Sequence, residues 1–315
     1  MLIFAPAIYE HAAKIINASP SVVCQDPVSL AKAHIEAYRL YGHPIVIPAI
    51  DIYNVEAEAM GVKVQYFSNA SMPVAREGCW RLPVEVDRLP NPNEFPRGRM
   101  IINLRAAKLV VRELGEEPCE ISFPISGPLS IAAKLLGSAE LLMAVATNVK
   151  ALDQLLNWIA AVLLRYIEAI VDLGVSITIF ESMAAPPLIS PLFFAEHLEP
   201  HLMKLMNRTE ILSKRRPALI IGGNTIDLLP AYARLRPSLF ICDYLPHLPN
   251  FVGLSRNYHL SLRVNITREL VQQLRSVKTI AGDLPVMIST GIVPYNAKPE
   301  EVLALKELIA RVNGE

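Results

Sequence analysis

Seven polar residues stand at or next to the ends of apolar stretches in this 315-residue chain: Asp51, Ser126, Glu181, Asn224, Asp243, Asn265 and Thr290. Three of them, Asp51, Glu181 and Asp243, are carboxylates. Crowded together they would raise one another's pKa and keep one proton in place for catalytic transfer. The same oxygens can also hold a hard cation. The bland alternative is that each meets an arginine or caps a helix in its own loop. Tyr53 and Glu56 follow Asp51 closely, and His247 follows Asp243 and Tyr244. In Ser126-Gly127-Pro128 the glycine precedes a helix start, where backbone N–H groups can meet an anion. Asn224 follows Gly222-Gly223, so backbone can approach a ligand there and the amide can donate and accept; ordinary turn chemistry explains the same residues. Asn265 can line a site or cap a helix starting at Thr267.

Other residues carry weaker signals. His11, His34, His43, His197, His201, His247 and His259 include no HxH or HExxH spacing. His197 and His201 share a helix face, most simply an outer one, and His11 follows the first apolar stretch. Cys242 and Asp243 are strand neighbours, so one points inward and the other outward; an inert buried thiol fits Cys242. Arg76, Arg81, Arg88, Arg97 and Arg99 form either an arginine rim for substrate carboxylates or a solvated surface. No metal site is expected.

These residues need a frame. The apolar stretches are LIFAPAI (2–8), PIVIPAID (44–51), CEISFPIS (119–126), SITIFES (176–182), PALIIGGN (217–224), LFICDY (239–244), HLSLRVN (259–265) and LPVMIST (284–290). Near-continuous apolar runs, each followed by a helical pattern, are the mark of parallel strands buried on both faces. Eight such units predict an α/β fold, a single-domain (β/α)8 TIM barrel over residues 1–315, with chemistry where strands end. Asp26, Pro27 and Gly42 predict a capped helix over 26–42, and Ser190-Pro191 predicts another helix start. Residues 52–118 form a long insertion that should shape the barrel mouth.

Composition narrows the function. Formal net charge is zero and the pI is near 7.1, so neither nucleic acid nor an anionic membrane is an expected partner. Four scattered cysteines suggest no disulfide framework. Residues 151–174 are strongly apolar but carry Asp153, Arg165, Glu168 and Asp172, which suits a barrel helix better than a membrane span. The N-terminus lacks signal-peptide features, and a cytoplasmic location is expected.

Four segments carry a resemblance: DIYNVEAEAMG (51–61), ISGPLSIAAKLLG (125–137), ISPLFFAEHLEPHL (189–202) and IIGGNTIDLL (220–229), with TGIVPYNAKPEEV (290–302) in register. The chain resembles the uroporphyrinogen decarboxylase family, and its cobalamin-dependent methyltransferase branch more than its decarboxylases. The resemblance implies a TIM barrel and a tetrapyrrole or small-molecule ligand. It implies no tightly bound cofactor, but a corrinoid carried by a partner protein; a homodimer is open. The thiol-charging methyltransferases bind zinc through His-x-Cys-Gly-Asn after strand five and a Cys after strand eight. Ile220, Gly222 and Thr290 occupy those positions here. The decarboxylases carry an N-terminal Arg-x-x-Gly-Arg loop, an essential Asp and a Gly-His in the last βα loop. This chain has its first arginine at Arg39, a counterpart for that Asp in Asp51, and Ser289-Thr290-Gly291 in the last loop. The resemblance therefore implies a corrinoid-dependent methyltransferase or a component of a methyl-transfer or demethylation system without the zinc ligands. Its alternatives are a cofactor-independent tetrapyrrole decarboxylase and a non-catalytic tetrapyrrole or corrinoid binder. By either activity, Asp51, Glu181 and Asp243 are the expected catalytic residues. Tyr53, Ser126, Gly127, Asn224, His247, Asn265 and Thr290 are the expected substrate contacts.

Overall fold

The computed structural model describes residues 1–84, 89–267 and 269–315. Eight parallel strands alternate with helices: β1 (Leu2–Phe4), β2 (Ile45–Val46), β3 (Glu120–Ser126), β4 (Ser176–Phe180), β5 (Ala218–Ile220), β6 (Leu239–Cys242), β7 (Ser261–Asn265) and β8 (Val286–Ser289). One hydrogen-bonded run joins β1, β8, β7 and β6; the other joins β2, β3, β4 and β5. The amide of Ser238 donates to the Pro217 carbonyl at 3.0 Å across the β5–β6 seam. The fold is the expected TIM barrel.

Each apolar stretch contains one strand, and the clearest difference in length is at β2. Residues 44–51 read as one strand, yet only Ile45–Val46 pairs with β3. Pro44 and Pro48 flank it, and neither can donate to a ladder. Residues 47–51 therefore leave the sheet and turn into the short helical segment Ile52–Asn54.

Alternation sorts the side chains into two layers. Leu219, Ile221, Phe240, Cys242, Leu262, Val264, Val286 and Ile288 face the helices and join the main core. Ala7, Ile47, Phe180, Ala218, Ile220, Leu239 and Ile241 pack together inside the barrel, with Met287 against them. Helix termini follow the sequence signals. Asp26 accepts from the Ser29 amide at 2.7 Å, and Gly42 closes the same helix at φ +59°. Ser190 accepts from the Phe193 amide at 3.1 Å. The helix Val149–Val171 is long and apolar enough to cross a membrane, but its apolar face is buried in the helical layer, with Leu152, Leu155, Ile159 and Leu163 fully covered.

Within the insertion lie the helix Val55–Ala59, a two-stranded ribbon (Val64–Gln65 with Val74–Ala75) and the helix Arg99–Leu114. That helix packs on Pro27–Tyr41 and carries the chain back to β3. Met72–Ala75 and Glu77 reach the barrel mouth.

Candidate active site at the barrel mouth

A cavity of about 350 Å³ opens at the strand ends, lined by Tyr9, Glu10, Asp51, Tyr53, Asn54, the ribbon and Lys134. Asp51 and Tyr53 thus reach the place expected of them. The surroundings of Asp51 were not foreseen. Arg99 Nη1 contacts both carboxylate oxygens, at 2.7 and 2.8 Å, and Arg99 Nε donates to Glu58. Glu58 in turn accepts from the Tyr66 hydroxyl at 2.6 Å. Asp51 and Arg99 are both buried. Burial pushes the Asp51 carboxyl up, and the guanidinium works against that rise. Arg99 is shared between two carboxylates, and both oxygens of Asp51 are engaged by the protein rather than left open to the cavity. Arg99, read as part of a surface rim, is instead a buried counter-ion. Arg97 and Arg81 bond backbone carbonyls of Ala59, Gly78 and Trp80, and Arg88 lies outside the described residues.

Glu181 stands apart from the cavity. It is fully buried, and its oxygens accept from the amides of Leu129 and Ser130 at 3.0 and 2.8 Å and from the Ser130 hydroxyl. Those amides open the helix Pro128–Leu136, so the anion expected at this N-terminus is the protein's own Glu181. The carboxylate cluster expected of Asp51, Glu181 and Asp243 therefore breaks up, because Glu181 is already spent on a helix end. Burial raises Glu181 to about 7 while the Ser130 and Leu129 hydrogen bonds pull it down.

Gly127, expected to touch substrate, instead leaves room for this carboxylate. A Cβ there would overlap Glu181, although its φ of −74° suits any residue. Gly127→Ala should therefore destabilise the protein by about 1–3 kcal/mol through overpacking, read from a urea transition midpoint. An unchanged midpoint would show that the Glu181 side chain can move aside. Ser126 is also sealed: its amide and hydroxyl each contact Glu56 at 2.9 Å. Burial raises Glu56 to about 7, opposed by the Ser126 bonds.

Across the mouth, β5, β6 and β7 end together. Asp243 accepts from the Gly223 amide at 2.7 Å and from Asn265 Nδ2 at 2.6 Å. It is half-buried, so its carboxylate is oriented yet reachable. Asn265 Oδ1 is buried without a partner among the described residues. Asn224 is exposed and accepts from the Ile226 amide, a turn contact at 3.4 Å. Thr290 is exposed at the end of β8. His247 is half-buried against Tyr244, with ring centroids 5.0 Å apart. His11 turns into the helical layer and meets the Tyr41 hydroxyl at 2.7 Å. His197 pairs with Asp153 at 3.0 Å on the outer helices. Burial raises the Cys242 thiol to about 11.

The three positions that the resemblance sets against zinc ligands carry residues unsuited to zinc. Ile220 belongs to the apolar barrel interior, Gly222 has no side chain, and Thr290 is a poor zinc ligand. Among the described residues no group of three or more His, Cys, Asp or Glu could hold a metal ion.

Two residues with no part in the sequence reading occupy the barrel interior. Arg263 lies on the inward face of β7, and Tyr9 follows β1; both line the narrow lumen beneath the mouth. The signal was present: in HLSLRVN, Ser261, Arg263 and Asn265 share one face, opposite Leu262 and Val264.

Comparison with known proteins follows the fold. Residues 4–252 match the uroporphyrinogen decarboxylase family. A methyltransferase from Methanosarcina mazei superposes with TM-score 0.83 at 18% identity, covering 99% of this chain and 94% of its own. A Mesorhizobium loti protein provisionally assigned as a dehydratase gives TM-score 0.44 at 11% identity, over 91% of this chain and 54% of its own. Comparison with the curated proteins gives no significant match.

Proposed function

Because the chain belongs to the uroporphyrinogen decarboxylase family, we propose that it is a methyltransferase of that family acting on a small molecule. The observation that carries this reading is the engagement of both Asp51 oxygens by Arg99. A tetrapyrrole decarboxylase of this family would need that carboxylate bare, to gather pyrrole N–H groups and balance a protonated pyrrole. Here both its oxygens already face the Arg99 guanidinium. The mouth cavity, about 350 Å³, lies at the small end of ligand pockets and suits a small molecule better than a macrocycle with many carboxylates. The fold shared with the M. mazei methyltransferase supports the same direction.

In this reading a corrinoid on a partner protein supplies or receives the methyl group. The chain's own residues hold the small molecule over the lumen, exclude water with Tyr53 and the Met72–Ala75 ribbon, and manage the proton. Asp243 is the residue for that proton: it is reachable, and Gly223 and Asn265 fix its direction. Proximity of acceptor and methyl group supplies the remainder of the rate enhancement.

The test is incubation with methylcob(III)alamin, alone or on a corrinoid protein, and a panel of small thiols, amines and alcohols. Loss of the methyl–cobalt absorbance should depend on the enzyme and persist after dialysis against a zinc chelator. Carboxyl loss from uroporphyrinogen without any methyl transfer would overturn the proposal in favour of the decarboxylase reading.

A further inference from the structure

Arg263 presents an electrostatic problem. It is 8% exposed, in a lumen lined mostly by apolar residues such as Ala7, Ile47, Ile220 and Leu239, with Thr178, whose hydroxyl is bonded to Ser122. Its strand neighbours in register are Ile241 and Met287. Among the described residues its buried Nε has no hydrogen-bond partner and its guanidinium makes no ion pair. Isolated buried charge is expensive and is ordinarily paired. The Tyr9 hydroxyl is the neighbour of Arg263, whose charge and donors oppose the effect of burial on it, and among the described residues it makes no other side-chain contact of hydrogen-bond geometry. Two residues along β7 on the same face, Asn265 Oδ1 is another buried atom without a partner among the described residues. Arg263, Tyr9 and Asn265 thus bring two donors and one acceptor to the inward side of β7 with no partner for them, among the described residues, beyond one another.

We infer that the barrel lumen binds the carboxylate end of a small organic acid, with Arg263 and Tyr9 donating to it and Asn265 Oδ1 accepting from a neighbouring O–H or N–H. A planar guanidinium suits a carboxylate. The lumen has about 20 Å³ free, enough for a terminal carboxylate and too little for a ring. Tyr9 lines both this space and the mouth cavity, so an acid bound by its end would project its other end toward Asp51 and Tyr53. The placement of that reacting end rests on the proposed methyl transfer; the binding of the carboxylate does not.

The experiment is direct binding by calorimetry and thermal shift with sodium acetate, sodium glycolate and sodium phosphate, at ionic strength matched with sodium chloride. Acetate and glycolate should raise the melting temperature saturably, glycolate more strongly because its hydroxyl can reach Asn265. Phosphate should bind more weakly, because its tetrahedral oxygens need more room than a flat carboxylate in a lumen with about 20 Å³ free. Arg263→Met should weaken glycolate binding about tenfold or more, the loss of a charge-assisted pair. Tyr9→Phe should weaken it less, and Arg263→Lys, which keeps the charge, should retain part of it. A wild-type protein with no saturable response to either acid overturns the inference, as does unchanged binding in Arg263→Met. If Arg263→Met fails to fold, unchanged binding in both Tyr9→Phe and Arg263→Lys overturns it equally. A positive result here with no methyl transfer would sink the proposed function and leave this site standing.

Discussion

Arg99→Met should cost about 3–5 kcal/mol of folding stability, the penalty for leaving one side of a buried ion pair uncompensated. The variant strands Asp51, which is buried and bonded through both oxygens to the missing guanidinium, and it frees Glu58 as well. The sign of the pH dependence follows. Burial raises the folded-state pKa of Asp51, and without Arg99 nothing of comparable strength opposes it. The folded variant then holds a proton that the unfolded chain releases near about pH 4. Where the folded state binds more protons, stability falls as pH rises. The deficit of Arg99→Met against wild type should therefore widen from acid pH up to the raised folded pKa, then level off. Adding Asp51→Leu should restore much of the loss, since an apolar pair of similar volume is often as stable as a buried ion pair. Urea transitions at several pH values measure all of this. A loss under about 1 kcal/mol, the worth of an exposed pair, would show that the triad is solvated.

The same triad marks the limit of what could be read from the chain alone. Strand positions were legible because an apolar run followed by a helical pattern depends on neighbours a few residues away. So were the Asp26 and Ser190 caps, whose bonds span three residues. The partners of the carboxylates were not legible. Arg99 is 48 residues from Asp51, and Leu129 is 52 residues from Glu181. Nothing local distinguishes a carboxylate facing a cavity from one neutralised by a returning helix, or one seated on a helix N-terminus. Arg263 was hidden for the opposite reason. The alternation in its run sets Ser261, Arg263 and Asn265 on one face, but the register with Ile241 and Met287 is what tells which face turns inward. The contacts of Asp243 differ in kind, since they join Gly223 and Asn265 at adjacent strand ends.

Asp243→Asn should lower the methyl-transfer rate by about 10²–10⁴-fold, the usual worth of a positioned acid or base. The substitution should do so without loosening the barrel. The Asn side-chain oxygen can still accept from the Gly223 amide, as Asp243 does now at 2.7 Å. Its new amide group would face Asn265 Nδ2, two donors together, but Asn265 Oδ1 has no partner of its own. Turning the Asn265 amide over presents that oxygen and restores the contact. The charge is lost while the hydrogen bonds survive, so the urea midpoint should stay close to wild type, unlike that of Arg99→Met. A group that handles a proton during transfer acts on kcat more than on KM. Loss in KM alone would make Asp243 a binding residue. A rate within a few-fold of wild type would remove it from proton transfer altogether. The search would then turn to Tyr53, since the carboxylates of Asp51, Glu56 and Glu181 are each already committed within the protein.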